Sequence, residues 1–116
     1  MAIIKAYTDI SQSKKLAEIL PLESADMYYI LMPDGAYNHF PLTGRKTELS
    51  ENTDIPCWSL AALLGVLPQG YSLGNKKSNG KYYVCMTCAK HDVIEYDNPV
   101  DACVSMIEQI NKLNLL

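Results

Sequence analysis

The feature that most constrains this chain is a run of six apolar residues, Met27-Tyr28-Tyr29-Ile30-Leu31-Met32, bounded by Asp26 and Pro33. The run is much too short to cross a membrane, and its aromatic and branched side chains favour a strand. Continuous rather than alternating hydrophobicity is typical of a strand at the centre of a sheet. Asp34-Gly35 is a turn signal, so a second strand is expected to return over residues 37–42.

Three segments are predicted to be helices. The first covers residues 8–20 and is ended by Pro21, because the residue before a proline avoids helical geometry. The second covers residues 59–66, and Pro68 closes it. The third opens at Asn98-Pro99, since asparagine is a good N-cap and proline suits the first helical position.

Residues 70–96 are predicted to form an antiparallel meander. Strands are predicted over residues 70–73, 81–88 and 93–96, with a polar turn at 75–80, whereas residues 43–54 are polar and predict an exposed loop. We therefore expect one domain over residues 1–116 with an α+β fold. Its predicted form is a two-layer sandwich, in which three helices accompany a mainly antiparallel sheet of four or five strands.

The apolar faces of these elements predict the core. The expected members are Leu16, Leu20, Ile30, Met32, Trp58, Leu60, Leu63, Val84, Met86, Cys103, Val104, Ile107 and Ile110.

Charge and hydropathy exclude some classes of function. The formal net charge is -3, which does not favour nucleic-acid binding, because proteins that hold phosphates usually present a basic face. No export signal is visible at the start, and the longest apolar run, residues 60–67, is far shorter than a membrane span. A cytoplasmic protein with reduced cysteines is therefore expected.

Cys85-Met86-Thr87-Cys88 and His91 are the outside candidates for chemistry, because Cys-x-x-Cys pairs commonly hold zinc. The pair lies in the predicted strand 81–88, where residues three apart point to opposite faces. A redox pair would normally precede a helix, and a Cys88–His91 nucleophile pair lacks an obvious third group. We therefore expect strand cysteines, with no metal, no cofactor and no catalytic residues.

Binding residues are harder to assign. Trp58 is expected either to anchor the second helix to the sheet or to contact a ligand. A tyrosine-lined pocket is the alternative, and its candidate residues are Tyr28, Tyr29, Tyr82, Tyr83 and Trp58. The basic tip formed by Lys76, Lys77 and Lys81 is consistent with protection of a strand edge or with weak, local nucleic-acid binding.

Four segments resemble a group of small uncharacterised proteins that recur in phages and mobile elements of gut Bacteroidetes. The segments are residues 7–21, 23–28, 55–64 and 99–107, of which Pro56-Cys57-Trp58-Ser59-Leu60 and Val100-Asp101-Ala102-Cys103-Val104 are the most distinctive. The resemblance implies an accessory role in a phage or bacterium, and it implies no reaction.

These observations favour a non-enzymatic accessory protein that acts by binding another protein, including a second copy of itself as a homodimer. The rival prediction is a small-molecule binder or enzyme with a tyrosine-lined pocket. A third, weak nucleic-acid binding by the Lys76/Lys77/Lys81 hairpin, predicts affinity that falls steeply with salt.

Overall fold

The computed structural model describes residues 5–37, 40–43, 54–86 and 94–113. It contains the three predicted helices: α1 (Ile10–Ala17), α2 (Leu60–Val66) and α3 (Pro99–Lys112). Each begins at a side-chain cap, since Asp9, Ser59 and Asn98 accept a hydrogen bond from the first helical turn. The first helix is shorter than predicted, because after residue 17 the backbone bonds tighten from i−4 to i−3, as in Glu18 to Lys15, ahead of Pro21.

Three short strands form the first sheet. They are β1 (Met27–Tyr29), β2 (Leu42–Thr43) and β3 (Ile55–Cys57), in the antiparallel order β2-β1-β3. The central position of β1 is as predicted, although the strand ends at residue 29. The predicted return strand appears as β2 and as a bridge between Leu31 and Tyr37, whereas residues 38 and 39 lie outside the described residues.

The strand β3 was not predicted, because Pro56 favours a non-strand connection into α2. Proline cannot donate to a sheet ladder and is tolerated on an edge strand, which is where β3 lies. Residues 44–53, most of the predicted loop, lie outside the described residues.

A second sheet consists of β4 (Tyr71–Asn75) and β5 (Tyr82–Met86), joined by the predicted hairpin turn with Gly80 at φ 74°. Of the predicted last strand, residues 94–96 are described, and of these Tyr96 forms a bridge to β5 through two backbone hydrogen bonds of 2.8 Å with Tyr82. The α+β class is confirmed. A single sheet of four or five strands is not, since the described strands divide between two sheets, one packed on α1 and the other on α3.

Most of the predicted core is buried: Leu16, Leu20, Trp58, Leu63, Val84, Cys103, Val104, Ile107 and Ile110. Leu60 and Ile30 are only partly buried, and the side chain of Met86 lies outside the described residues. Met32 was wrongly assigned to the core, because it is 41% exposed. A second cluster of Tyr29, Ile55 and Cys57 lies between the first sheet and α1 and was not predicted.

Candidate functional site

The three-stranded sheet has two faces with different surroundings. Directly paired residues share a face, so Met27 lies on the same face as Cys57, and Tyr29 on the same face as Ile55. This inner face packs against α1, whose Ile10 contacts the cluster of Tyr29, Ile55 and Cys57.

The opposite face carries Tyr28, which pairs directly with Leu42 of β2 and, on its other side, with the buried Pro56 of β3. The remaining apolar residues lie on the β1 and β2 side of this face. Alternation past the end of β1 places Ile30 on the same side as Tyr28, whereas Met32 starts the turn to Ala36 and Phe40 lies at a bend two residues before Leu42. We call these five residues, Tyr28, Ile30, Met32, Phe40 and Leu42, the outer face. None carries a charge.

Three of the outer-face side chains are strongly exposed: Phe40 at 71%, Leu42 at 42% and Met32 at 41%. A sheet packed on one side normally alternates apolar residues on the core side with polar residues on the solvent side. Here both sides are apolar. Neighbouring exposed apolar side chains are typical of an interaction site.

The sequence contains the pattern of this surface, although the run from 27 to 32 predicts a buried strand. Tyr28, Ile30 and Met32 recur at every second position, and so do Phe40 and Leu42. The unbroken run from 27 to 32 hid that periodicity, because both faces of the strand are apolar. Only the position of α1, against one face, shows which set is left exposed.

Trp58, which was a candidate binding residue, is fully buried in the larger core cluster. Its indole Nε1 donates a 2.9 Å hydrogen bond to Oγ of Ser24, and its backbone N–H and C=O both bond to Thr8. Ser59 follows, and its backbone N–H and hydroxyl both donate to the carboxylate of Asp26. The indole therefore anchors the start of α2 to the chain that enters β1.

The predicted tyrosines are divided between the two sheets. Tyr28 lies on the outer face, whereas Tyr29 is buried on the inner face and donates a 2.7 Å hydrogen bond to the carbonyl of Thr8. Burial raises the pKa of Tyr29 well above its ordinary value, and the neighbouring Cys57 adds to the shift. Tyr82 packs against the core cluster, and Tyr83 pairs with Gly74 across the second sheet.

A buried polar cluster surrounds Cys57. Thr8, Ser13 and Cys57 are fully buried, and the two hydroxyl oxygens lie 2.7 Å apart. Thr8 Oγ1 also donates to the sulfur of Cys57 at 3.4 Å, and the thiol donates to the carbonyl of Thr8. Burial raises the pKa of the Cys57 thiol, so that the group stays neutral. Its polar atoms are satisfied internally, and the cluster fixes α1 to β3.

Of the outside metal candidates, the described residues include Cys85 alone. Cys85 is partly buried on β5 as a free thiol, whereas Cys88 and His91 lie outside the described residues. Within the described ranges, no three His, Cys, Asp or Glu side chains converge as metal ligands would.

Carboxylates accompany two of the three lysines at the hairpin tip. Lys76 lies 3.0 Å from Glu95, and Lys81 lies 4.0 Å from Asp97. Hydrogen bonds from Lys76 and Asn79 lower the pKa of Glu95, which keeps it ionised. Two carboxylates beside the tip offset part of the positive potential that a phosphate would need.

An open groove of about 380 Å³ runs between α1 and α3. Its lining is mainly polar: Gln12, Lys15, Tyr96, Asp101, Val104, Ser105 and Glu108. Asp101 already accepts hydrogen bonds from Gln12 at 2.7 Å and Asn98 at 2.8 Å, besides an ion pair with Lys5 at 2.8 Å. The groove contains Tyr96 but none of the five aromatic residues predicted to line a pocket.

Comparison with known proteins adds no relative. No protein-family model matches this chain, and no curated protein or solved structure matches it. Among the described residues, no helix is long and apolar enough to cross a membrane.

Proposed function

We propose that this protein acts by binding another protein through the outer face of its three-stranded sheet. The observation that carries the proposal is the exposure of Met32, Phe40 and Leu42 beside Tyr28 and Ile30, on the side of the sheet opposite α1. An apolar side chain gains roughly 1.5–3 kcal/mol when it moves from water into a packed interface. Three such side chains on one face supply a driving force for association.

The character of β1 supports the same conclusion. A continuous apolar run suits a strand that is covered on both sides, and the described helix that packs on this sheet, α1, lies on its inner face. The outer face combines an aromatic residue on the central strand with a second aromatic residue and a methionine near its rim. Aromatic residues and methionine are enriched at the centres of protein interfaces.

An accessory role in a phage or mobile element, in the cytoplasm and without catalysis, is part of the same proposal. It is supported by the resemblance of the four segments and by the composition of the chain. A binding module of this kind needs a surface and a stable core, and it needs no convergent reactive groups.

The test compares affinity capture by the wild-type protein with capture by a Phe40→Ser/Leu42→Ser double variant. A Leu113→Ser variant is the matched control, because Leu113 is 66% exposed but lies at the end of α3, away from the first sheet. Quantitative mass spectrometry of the captured proteins should find a partner that the wild-type and control proteins retain and the double variant loses. The three proteins should unfold at similar temperatures, since exposed side chains contribute little to stability.

A measurement that needs no partner accompanies the capture. The fluorescence of a dye that binds apolar surfaces should fall in the double variant and stay unchanged in the Leu113→Ser control. If neither capture nor dye fluorescence distinguishes the double variant from the control, the outer face is not the binding site.

A second candidate, small-molecule binding, is favoured by the groove between α1 and α3. Tyr96 and Ser105 form a hydroxyl pair there at 2.5 Å, next to the oppositely charged Lys15 and Glu108. Fragment screening by NMR separates this candidate from the first, because groove binders would shift the amide signals of α3 and leave those of β1 unchanged.

A further inference from the structure

The edges of the two sheets differ in how they are protected against pairing with another strand. At one edge of the first sheet, β3 carries Pro56, which has no N–H to donate, and the other edge is formed by the two-residue strand β2. In the second sheet, the free side of β5 is used by Tyr96, which exchanges two hydrogen bonds with Tyr82. Short strands, prolines and covering segments are the usual protection of sheet edges.

The remaining edge, β4, has no proline, and among the described residues no segment is hydrogen-bonded along it. Its five residues, Tyr71-Ser72-Leu73-Gly74-Asn75, include no charge and no proline, and all five pair in register with β5. Ser72 and Asn75 are exposed. Of the described strand edges, β4 is therefore the one best suited to accept a further strand.

The ladder shows which backbone groups of β4 point outward. Lys76 N–H donates to the carbonyl of Lys81, so these two residues form a hydrogen-bonded pair. In an antiparallel ladder such pairs alternate with pairs that are not hydrogen-bonded, and Gly74 with Tyr83 is therefore the next hydrogen-bonded pair. Leu73 and Asn75 fall in the alternate pairs and turn their N–H and C=O groups away from β5. Tyr82, which lies opposite Asn75, shows the same alternation. Its backbone N–H and C=O groups point away from β4 and bond to Tyr96.

We propose that β4 pairs with β4 of a second copy of this chain, antiparallel about a two-fold axis at Leu73. Leu73 of each copy then exchanges two N–H···O=C bonds with Leu73 of the other. Asn75 N–H donates to the carbonyl of Tyr71 on the opposite copy, whereas Tyr71 N–H is already used by Pro68 within its own chain. The two hairpins become one four-stranded sheet. This dimer goes beyond the proposed function, because it uses the edge of β4 and not the outer face.

Charge favours the antiparallel over the parallel arrangement of two copies. Lys76 and Lys77 follow β4, and a parallel pairing would set them beside their own counterparts. The antiparallel pairing sets them beside Gly70 and Gln69, which are uncharged. An edge strand that pairs with itself about a two-fold axis is self-complementary by construction, and such axes are by far the commonest in soluble oligomers.

The experiment measures the mass of the wild-type protein in solution over a concentration series and compares two lysine variants. Ser72→Lys puts a charge on β4, and in the proposed dimer the two introduced lysines, one from each copy, lie diagonally across the two-fold axis from each other. The control Ser78→Lys adds the same charge in the hairpin turn. The wild-type and Ser78→Lys proteins should reach twice 12.9 kDa. Ser72→Lys should raise the dimer dissociation constant about tenfold or more, because like charges on neighbouring strands oppose pairing.

Hydrogen exchange of the unmodified protein provides a test that does not depend on a variant. The amides of Leu73 and Asn75 should become protected as concentration rises, whereas the amide of Ser72, already bonded to β5, should not change. A wild-type protein that stays monomeric throughout, or a Ser72→Lys variant that dimerises as well as Ser78→Lys, overturns the proposal. Dimerisation lost in the Phe40→Ser/Leu42→Ser variant but retained in Ser72→Lys would also overturn it, and would assign self-association to the outer face.

Discussion

Tyr83 and Gly74 face each other across the second sheet, and the tyrosine ring occupies the space that a β-carbon at Gly74 would fill. A β-carbon there would lie 2.7 Å from Cε2 of Tyr83, which is well inside van der Waals contact. A glycine in a strand normally weakens it, and an aromatic neighbour that covers the glycine compensates. Tyr83, which the sequence suggested as a binding residue, therefore has a packing role that requires glycine at position 74.

We expect Gly74→Ala to destabilise the protein by about 1–2 kcal/mol, because the ring of Tyr83 must move off the sheet. Gly65→Ala is the matched control, since a β-carbon at Gly65 in α2 meets nothing within 4 Å. Alanine should stabilise that helix by roughly 0.5–1 kcal/mol. Urea unfolding of the two variants measures both effects.

A double-mutant cycle checks the cause. In a Tyr83→Ala background the ring is absent, so Gly74→Ala should cost nothing further. An equal loss of stability in both backgrounds would mean that the ring is not the reason for glycine.

Asp101, in the first turn of α3, connects three parts of the chain. It forms an ion pair with Lys5 of the N-terminal segment and accepts hydrogen bonds from Gln12 of α1 and from the cap residue Asn98. Burial alone would raise the pKa of Asp101, but the hydrogen bonds from Lys5 and Gln12 outweigh it and hold the pKa below its ordinary value. The carboxylate therefore helps to hold α1 against α3.

The lowered pKa of Asp101 makes stability depend on pH in a defined direction. The stabilisation is complete above the ordinary aspartate pKa of about 4 and is lost as the pH falls through the lower pKa of the folded state. Asp101→Asn should therefore lower stability by about 1 kcal/mol at pH 7, where water screens part of the interaction, and by less at acidic pH. Thermal unfolding from pH 7 down to pH 2 measures this difference.

Asp97→Asn is the control for that experiment. The side chain of Asp97 is 80% exposed, and its ion pair with Lys81 has a distance of 4.0 Å. Its substitution should change stability by a few tenths of a kcal/mol at any pH. A pH-independent effect of Asp101→Asn would contradict the assigned role.

At the scale of the whole molecule, the two hydrophobic clusters meet at Cys57 and Trp58. Cys57 belongs to the smaller cluster and Trp58, the next residue, to the larger one, and Thr8 hydrogen-bonds to both. Each sheet packs on a different helix, but this junction and the contact of α1 with α3 connect them. We therefore expect the two sheets to unfold together.

Cysteine labelling tests this cooperativity, because each cluster contains a buried thiol. Burial raises the pKa of Cys57, in the smaller cluster, and raises that of Cys103, in the larger cluster, to about 11. Both thiols should resist alkylation in the native state, and both should become reactive at the same urea concentration. Peptide mapping by mass spectrometry separates them from Cys85, which is partly exposed. Labelling of Cys57 at lower urea than Cys103 would show that the clusters unfold separately.

Local signals predicted the helices and much of the core correctly. Ser59 and Asn98 are caps that act through their own nearest neighbours, and the apolar face of α3 follows from its 3.6-residue period. The hairpin of β4 and β5 was predicted because Asn79-Gly80 is a turn signal between apolar segments. Such features depend on residues a few positions apart, which the sequence displays directly.

Long-range pairing decided the rest. The strand β3 depends on its register with β1, which is invisible where Pro56 interrupts the apolar pattern. The burial of Tyr29 and the exposure of Met32 depend on which face α1 covers, since an apolar run without alternation does not distinguish its two sides. Sequence alone therefore determined the helices, the class of fold and most of the core. The division into two sheets and the exposed outer face were decided by tertiary structure, because they depend on which distant segments come into contact.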